Sequence, residues 1–310
     1  MSYRSVSPAK PLALRSGDTV AVVAPCAVVC REKLKRGVSV LEELGYRVDV
    51  SPHALDRDDI FAGTDQVRAL ELERYFADPR IKAIFVARGG YGCGRLLPLL
   101  NFQSLSTTPK IFLGFSDVTF LLNALVEKAG LVAFHGPMVA MDLARGVTPR
   151  SLSHLKDVLE GRIFPLRLEA QETLRAGVAE GLLIGGCLSV LVAMLGTPYA
   201  PSFEGKILLL EDVGEKPYRI DRMLTQLRQS GAFANVAGVV FGGMSGVDND
   251  AQEKRLIRRF IQEQVCTLGV PVIAGLNVGH RTENLTVPLG VRVRLDADNC
   301  ELCVVEPWVM

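Results

Sequence analysis

The sequence predicts an α/β protein of two domains, an N-terminal domain with a parallel sheet and a C-terminal mixed α/β domain with more antiparallel β. Three observations predict this. Short β-branched runs alternate with stretches of helical spacing over the first 160 or so residues, the pattern of a parallel sheet covered on both faces. The pattern breaks at Gly161–Arg175, where Pro165 and several charges interrupt it. The last two apolar runs alternate at period two, as an antiparallel pair does. The expected boundaries are therefore 1–163 for the first domain, 164–175 for a linker and 176–310 for the second domain.

Taken in order, Thr19–Ala24 is a β-branched run stopped by Pro25, and Arg31–Leu44 is a helix ended by Gly45. Tyr46–Val50 is a strand, Asp65–Ala77 an amphipathic helix and Ile81–Ala87 a third strand. Arg88-Gly-Gly-Tyr-Gly-Cys-Gly94 follows, then a helical run through Leu100. Lys110–Leu122 holds a strand, a tight turn at Gly114-Phe-Ser-Asp117 and a helix. Leu131–Phe134 is a strand and Pro149–Glu160 a closing helix. In the second domain the strands are Ala179–Gly186, Lys206–Leu210, Val236–Phe241 and Val270–Ile273. Its helices are Cys187–Leu195, Tyr218–Gln229 and Glu253–Thr267, and the alternating runs Leu285–Leu295 and Asn299–Val305 close the chain.

Composition narrows the function classes. The 310 residues are 48% hydrophobic and 22% charged, an ordinary globular balance. The net charge of +1 leaves no electrostatic footprint for nucleic acid or an anionic membrane. Residues 1–10 lack an apolar core of signal-peptide length, and no stretch reaches ~18 uninterrupted apolar residues. A soluble cytoplasmic protein is expected, with its seven cysteines reduced and mostly buried. Cys300 and Cys303 form a lone C-x-x-C without a second pair, and no His-x-x-x-His occurs, so no metal and no cofactor is expected.

In a parallel sheet, functional groups gather outside the carboxyl ends of the strands. Both the Gly89–Gly94 loop and the Ser116 turn fall there. Ser116 stands where a helix N-terminus presents unpaired N–H groups, the setting of a serine nucleophile with part of an oxyanion hole. Ser116 or Asp117 serves equally as a helix N-cap. The turn lacks the second glycine of the G-x-S-x-G elbow. Clustered N–H groups at Gly89, Gly90 and Asp117 are candidate oxyanion donors; the glycine loop lacks the Lys-Ser/Thr of a P-loop and fails the G-x-G-x-x-G fingerprint. Of the four histidines, His154 lies on an expected surface helix, His53 follows a proline in a loop, His135 reads as structural, and His280 lies in the glycine-punctuated loop Gly275–Asn284. Glu211 ends the buried run Ile207–Leu210, where a carboxylate needs a partner. It is a candidate to orient an imidazole, with a surface ion pair to Arg219 or Arg222 as the plain alternative.

Several segments together resemble the LD-carboxypeptidase family of serine peptidases, which also includes microcin-immunity peptidases. They are Ala87-Arg-Gly-Gly-Tyr-Gly92, Gly114-Phe-Ser-Asp117, His135-Gly-Pro-Met138, Leu210-Glu-Asp-Val-Gly-Glu-Lys-Pro-Tyr-Arg-Ile-Asp-Arg222 and Gly275-Leu-Asn-Val-Gly-His280, in order over nearly the whole chain. The resemblance implies a Ser–Glu–His triad of Ser116, Glu211 and His280, with the serine on the first domain and its partners on the second. It also implies release of terminal D-alanine from cytoplasmic murein tetrapeptides across an L,D bond, without metal, often by a homodimer. Family members commonly carry Asn after the paired glycines, where this chain has Cys187, so the substrate contact there is altered. The competing expectations are hydrolysis of a microcin-like peptidyl nucleotide, ligand binding without turnover, and a cysteine peptidase using Cys93.

Overall fold

The computed structural model describes residues 7–245 and 251–310. Residues 1–6, on which the reading of the N-terminus partly rests, lie outside the described residues. In chain order the first elements are β1 (Thr19–Val23), α1 (Arg31–Glu43), β2 (Arg47–Val50), α2 (Asp65–Ala77), β3 (Ile81–Val86), α3 (Phe102–Leu105), β4 (Ile111–Gly114), α4 (Thr119–Ala124), β5 (Ala133–His135) and α5 (Pro149–Leu159). There follow β6 (Leu166–Glu169), β7 (Glu172–Arg175), β8 (Val178–Cys187), α6 (Leu188–Met194), β9 (Ile207–Val213), α7 (Pro217–Gln229), β10 (Gly238–Ser245), α8 (Ala251–Gln264), β11 (Val272–Ala274), β12 (Val287–Leu289), β13 (Arg292–Asp296) and β14 (Glu301–Val304).

The chain divides into two compact units. One holds the chain to Arg162 with Thr286–Val291 and Trp308–Met310, the other Ile163–Leu285 with Arg292–Pro307.

The first unit is built on a sheet of order β12-β5-β4-β3-β1-β2, parallel from β5 to β2. The central strands β1, β3 and β4 are buried almost throughout because their sequences are apolar on both faces, as a doubly covered parallel sheet requires. β2 lies at the edge and is half exposed. Two covering helices start at side-chain caps: Thr64 accepts from the Val67 N–H and Thr148 from the Ser151 N–H, with Pro149 at the first helical position. From β1 the chain passes to β2 on one side and β3 on the other, so the loops after β1 and β3 diverge at a switch point. The expected helical run to Leu100 is instead two short 3₁₀ turns, Cys93–Arg95 and Leu97–Leu99. Pro98 has no N–H to give an α-helix there.

The second unit is a sheet of order β6-β14-β13-β8-β9-β10-β11-β7. β8 to β11 are parallel, and the flanking strands are antiparallel. The α/β class, with a largely parallel first sheet and a mixed second one, is as expected.

Two boundaries differ. Residues 164–175 are not a linker: Leu166–Glu169 pairs with β14 and Glu172–Arg175 with β11. Short, charged edge strands resemble loop in sequence because only one side of each is paired and one face is wet. The alternating run Leu285–Leu295 also splits. Val287–Leu289 pairs with β5 in the first sheet, and Arg292–Asp296 pairs with β8 and β14 in the second. Gly290, at φ 80°, lets the chain turn between them. After β14 the chain returns to the first unit, where the buried Trp308 indole donates to the Val158 carbonyl at 2.7 Å. Among the described residues no helix is long and apolar enough to cross a membrane.

Candidate active site

In the first unit Ser116 follows β4 directly and opens a 3₁₀ turn, Ser116–Val118, that runs into α4. Its φ is +65°, one of three non-glycine residues with positive φ among those described. Such a conformation persists only where the surroundings enforce it, and it clusters at functional sites. Gly114 gives the turn room. A Cβ at 114 would lie 3.0 Å from the Val118 side chain and 3.1 Å from that of Val86. The sharp turn is thus reached with one glycine, with Val118 packed into the space beside it.

The glycine loop presses on this serine. A Cβ at Gly89 would lie 3.0 Å from Ser116 Cβ, 3.2 Å from its Oγ and 3.5 Å from the Asp117 backbone nitrogen. Gly90 sits at φ 110°, and a Cβ there would stand 2.8 Å from the Ala27 side chain, in the loop after β1. Gly89, Gly90, Ser116 and the Asp117 N–H are therefore neighbours within one unit. The Asp117 side chain is 4% exposed, and its Oδ2 accepts from the Cys93 N–H at 2.8 Å. Burial raises its pKa, partly offset by that backbone donor.

Cys26, Cys93 and Asp117 form a buried cluster with ligand atoms within 4.8 Å of one another. The two sulfurs are 2.6 Å apart. Two thiolates on a tetrahedral zinc stand ~3.8 Å apart for a Zn–S bond of about 2.3 Å, so these two sulfurs do not sit as two ligands of one zinc. Burial raises the pKa of Cys26 and raises that of Cys93 further. A fully buried, protonated Cys93 is a poor nucleophile, which argues against the cysteine-peptidase alternative.

In the second unit the polar residues gather at the carboxyl edge of the parallel strands. Glu211, near the end of β9, is fully buried. Its Oε2 lies 2.8 Å from His280 Nδ1 and accepts from the His280 N–H at 3.2 Å. The surface ion-pair alternative does not hold, since Arg219 pairs with Glu215 and Arg222 lies over the Tyr218 ring. The His280 side chain keeps 18% of its surface exposed. Its loop is hydrogen-bonded along its length: Leu276 N–H donates to Phe241 O, Gly243 N–H to Val278 O and Gly279 N–H to the buried Asn284 Oδ1. Gly242 and Gly279 leave room for the carboxylate. A Cβ at 242 would stand 3.1 Å from Glu211 Cβ, and one at 279 would stand 2.6 Å from its Cγ.

Cys187 pairs in register with Glu211 across β8 and β9, and burial followed by the charges of Glu211 and Asp212 raises its pKa well above the usual thiol value. Asp212 accepts from the Ser189 and Val213 N–H groups, and burial raises its pKa too. A cavity of about 450 Å³ opens beside this edge, lined in part by Gly242, Gly275 and Arg281.

Of the other histidines, His53 and His135 are placed as the sequence suggests, whereas His154 is half-buried. His135 is fully buried against Phe115, His154 contacts the Thr286 carbonyl and His53 pairs with Asp56 at the surface. Sequence reasoning missed Gly242, Gly279, Asn284 and the Cys26–Cys93 contact. The glycine pair Gly242-Gly243 within β10 and the glycines of the histidine loop were the available signal.

Comparison with known proteins bears on the chemistry of these groups. Residues 20–136 match the LD-carboxypeptidase N-terminal domain and residues 180–295 the LD-carboxypeptidase C-terminal domain. A Bacillus subtilis protein named "Probable murein peptide carboxypeptidase" is 36% identical over 93% of this chain and 91% of its own. The murein tetrapeptide carboxypeptidase of Pseudomonas aeruginosa is 33% identical over 90% of this chain and 93% of its own. The microcin C7 self-immunity protein MccF of Escherichia coli is 28% identical over 97% and 96%. The crystal structure of a muramoyltetrapeptide carboxypeptidase from Oxalobacter formigenes superimposes with a TM-score of 0.83 at 31% identity, covering 93% of this chain and 99% of that one. MccF bound to glutamyl sulfamoyl guanosine shares the fold, with a TM-score of 0.87 at 23% identity over 98% and 100%. The chain belongs to the LD-carboxypeptidase family.

Proposed function

We propose that the protein is a serine-type LD-carboxypeptidase that releases terminal D-alanine from murein tetrapeptides, with Ser116 as nucleophile, His280 as base and Glu211 as the carboxylate that orients it. The observation that carries this reading is the pairing of the buried Glu211 with the partly exposed His280 at 2.8 Å. A buried carboxylate on Nδ1 holds the proton there and leaves Nε2 as the acceptor for a serine proton. The strained turn at Ser116 supports the other half.

In this mechanism His280 takes the Ser116 proton as Oγ attacks the carbonyl of the third residue. The Asp117 N–H and those of Gly89 or Gly90 receive the oxyanion. Collapse expels the D-alanine amine, which takes the proton from His280. Water, deprotonated by His280, then hydrolyses the ester and restores Ser116. A role in recycling cell-wall peptides in the cytoplasm, as a homodimer and without bound nucleic acid, belongs to the same proposal.

Purified protein should release D-alanine from a tripeptidyl-D-alanine muropeptide, and Ser116→Ala should lose several orders of magnitude in rate. Undiminished release by Ser116→Ala would refute the serine mechanism. The alternative substrate is a peptidyl nucleotide, suggested by the match to MccF over nearly the full chain. Turnover of both substrates by one preparation separates the two, and binding of either without turnover would favour a non-catalytic role.

A further inference from the structure

Asp117 touches both sides of the candidate oxyanion site. It follows Ser116 in the chain, so its backbone N–H is held by the nucleophile turn. Its carboxylate turns inward and accepts the Cys93 N–H, which lies at the end of the glycine loop. This hydrogen bond is the tie that links the loop directly to the residue after Ser116. Gly90 and Gly92 have φ of 110° and 126°, and glycines lose more conformational freedom on ordering than other residues. Further ties come from the buried Arg68, whose guanidinium donates to the Gly92 and Pro25 carbonyls and pairs with Asp65, from Arg88, which donates to the Val28 carbonyl, and from the Tyr91 ring against Phe61. The Cys26 and Cys93 thiols also lie within hydrogen-bonding reach of the carboxylate.

We propose that the Asp117 carboxylate is a positioning residue, which by holding the Cys93 N–H sets the Gly89–Gly90 donors at a fixed separation from the Asp117 N–H and Ser116 Oγ. The inference rests on the reading of Ser116 as the nucleophile. One side chain then spaces the two halves of the oxyanion hole. Loss of the tie leaves the ground-state peptide bound as before and weakens the hold on the tetrahedral species, because only that species needs both sets of donors at once.

The test compares wild type with Asp117→Ala, Asp117→Asn and Ser116→Ala. The readouts are kcat and KM for D-alanine release, affinity for a peptide boronate that becomes tetrahedral on Ser116, and affinity for the tripeptide product. Asp117→Ala should lower kcat about 100-fold, in the range found for loss of one oxyanion donor. Boronate affinity should fall by a similar factor, while KM and product affinity stay within about threefold of wild type. Asp117→Asn keeps an acceptor oxygen for Cys93 and should retain kcat within about tenfold.

Wild-type kcat in Asp117→Ala, with Ser116→Ala inert, overturns the positioning role and leaves the serine mechanism standing. Activity in Ser116→Ala overturns both. Should Asp117→Ala fail to fold, Asp117→Leu, which fills the space and removes the acceptor, decides, and wild-type kcat there likewise overturns the proposal. In either variant, parallel loss of kcat, boronate and product affinity marks a purely structural residue and overturns the proposal, whereas intact product affinity with a matched loss of the other two supports it.

Discussion

Glu211 is packed against Gly279 so closely that position 279 has no room for a Cβ. A Cβ at 279 would lie 2.6 Å from Glu211 Cγ and 2.7 Å from its Cδ, and it would also meet Oε2. Gly279 holds a φ of 94°, which a side chain disfavours independently of the space. Gly279→Ala should therefore displace the carboxylate from His280. We expect at least a 100-fold fall in D-alanine release, since ~1 Å of misplacement has that effect. Kinetics on the purified, folded variant check this; near-wild-type turnover would contradict the packing argument.

Glu211→Gln keeps the shape of the side chain and removes the charge beside His280 that the proposed mechanism uses to steady the imidazolium. The expected loss is in kcat, on the order of 10³–10⁴-fold, with KM little changed. A loss confined to KM would show that Glu211 binds substrate instead of orienting His280.

Gly89→Ala tests the other unit. The backbone at 89 lies outside the left-handed region, so the added methyl meets Ser116 and the Asp117 nitrogen without straining its own residue. Activity should fall by about 100-fold, as for a blocked oxyanion donor. The melting temperature should stay within about 3 °C of wild type, the shift that ~1 kcal/mol produces in a domain of this size. A large drop in melting temperature at full activity would reverse the assignment.

Lys110 predicts a pH effect on stability. It is 3% exposed, and its ammonium donates to the Tyr75 and Asp78 carbonyls at the end of α2. Burial lowers its pKa from 10.5 to about 8. Between those values the unfolded chain binds more protons than the folded one, so this residue's contribution to stability rises with pH there. Below about 8 both states are charged and the contribution is constant. The stability difference between wild type and Lys110→Met should shift in favour of wild type by roughly 1–3 kcal/mol from pH 7.5 to 10.5. Denaturant midpoints across that range measure it; a pH-independent difference would refute it.

Much of the site is visible in local sequence because its parts sit at breaks in apolar runs. Glu211 ends a buried strand, Ser116 opens a turn, and both glycine-rich loops follow strands. A polar residue at such a break has few structural explanations, so the residue type already narrows the chemistry. The contacts made by these residues are a different matter. Cys26 and Cys93 stand 67 positions apart, and only the parallel pairing of β1 with β3 starts their loops side by side, near Asp117.

By itself the sequence determined the α/β class, most of the strands and helices, and the residue types at the strand ends, because burial periodicity and turn chemistry act over a few residues. The tertiary structure decided which sheet each strand joins. Val287–Leu289 and Arg292–Asp296 carry the same alternation yet pair in different sheets, and Leu166–Glu169 becomes a strand only because β14 lies beside it. It also decided the strained φ of Ser116, the inward turn of the Asp117 carboxylate and the close fit of Gly279 on Glu211. Alternation specifies which face of a strand is buried; partner, register and close approach are set by residues far away in the chain.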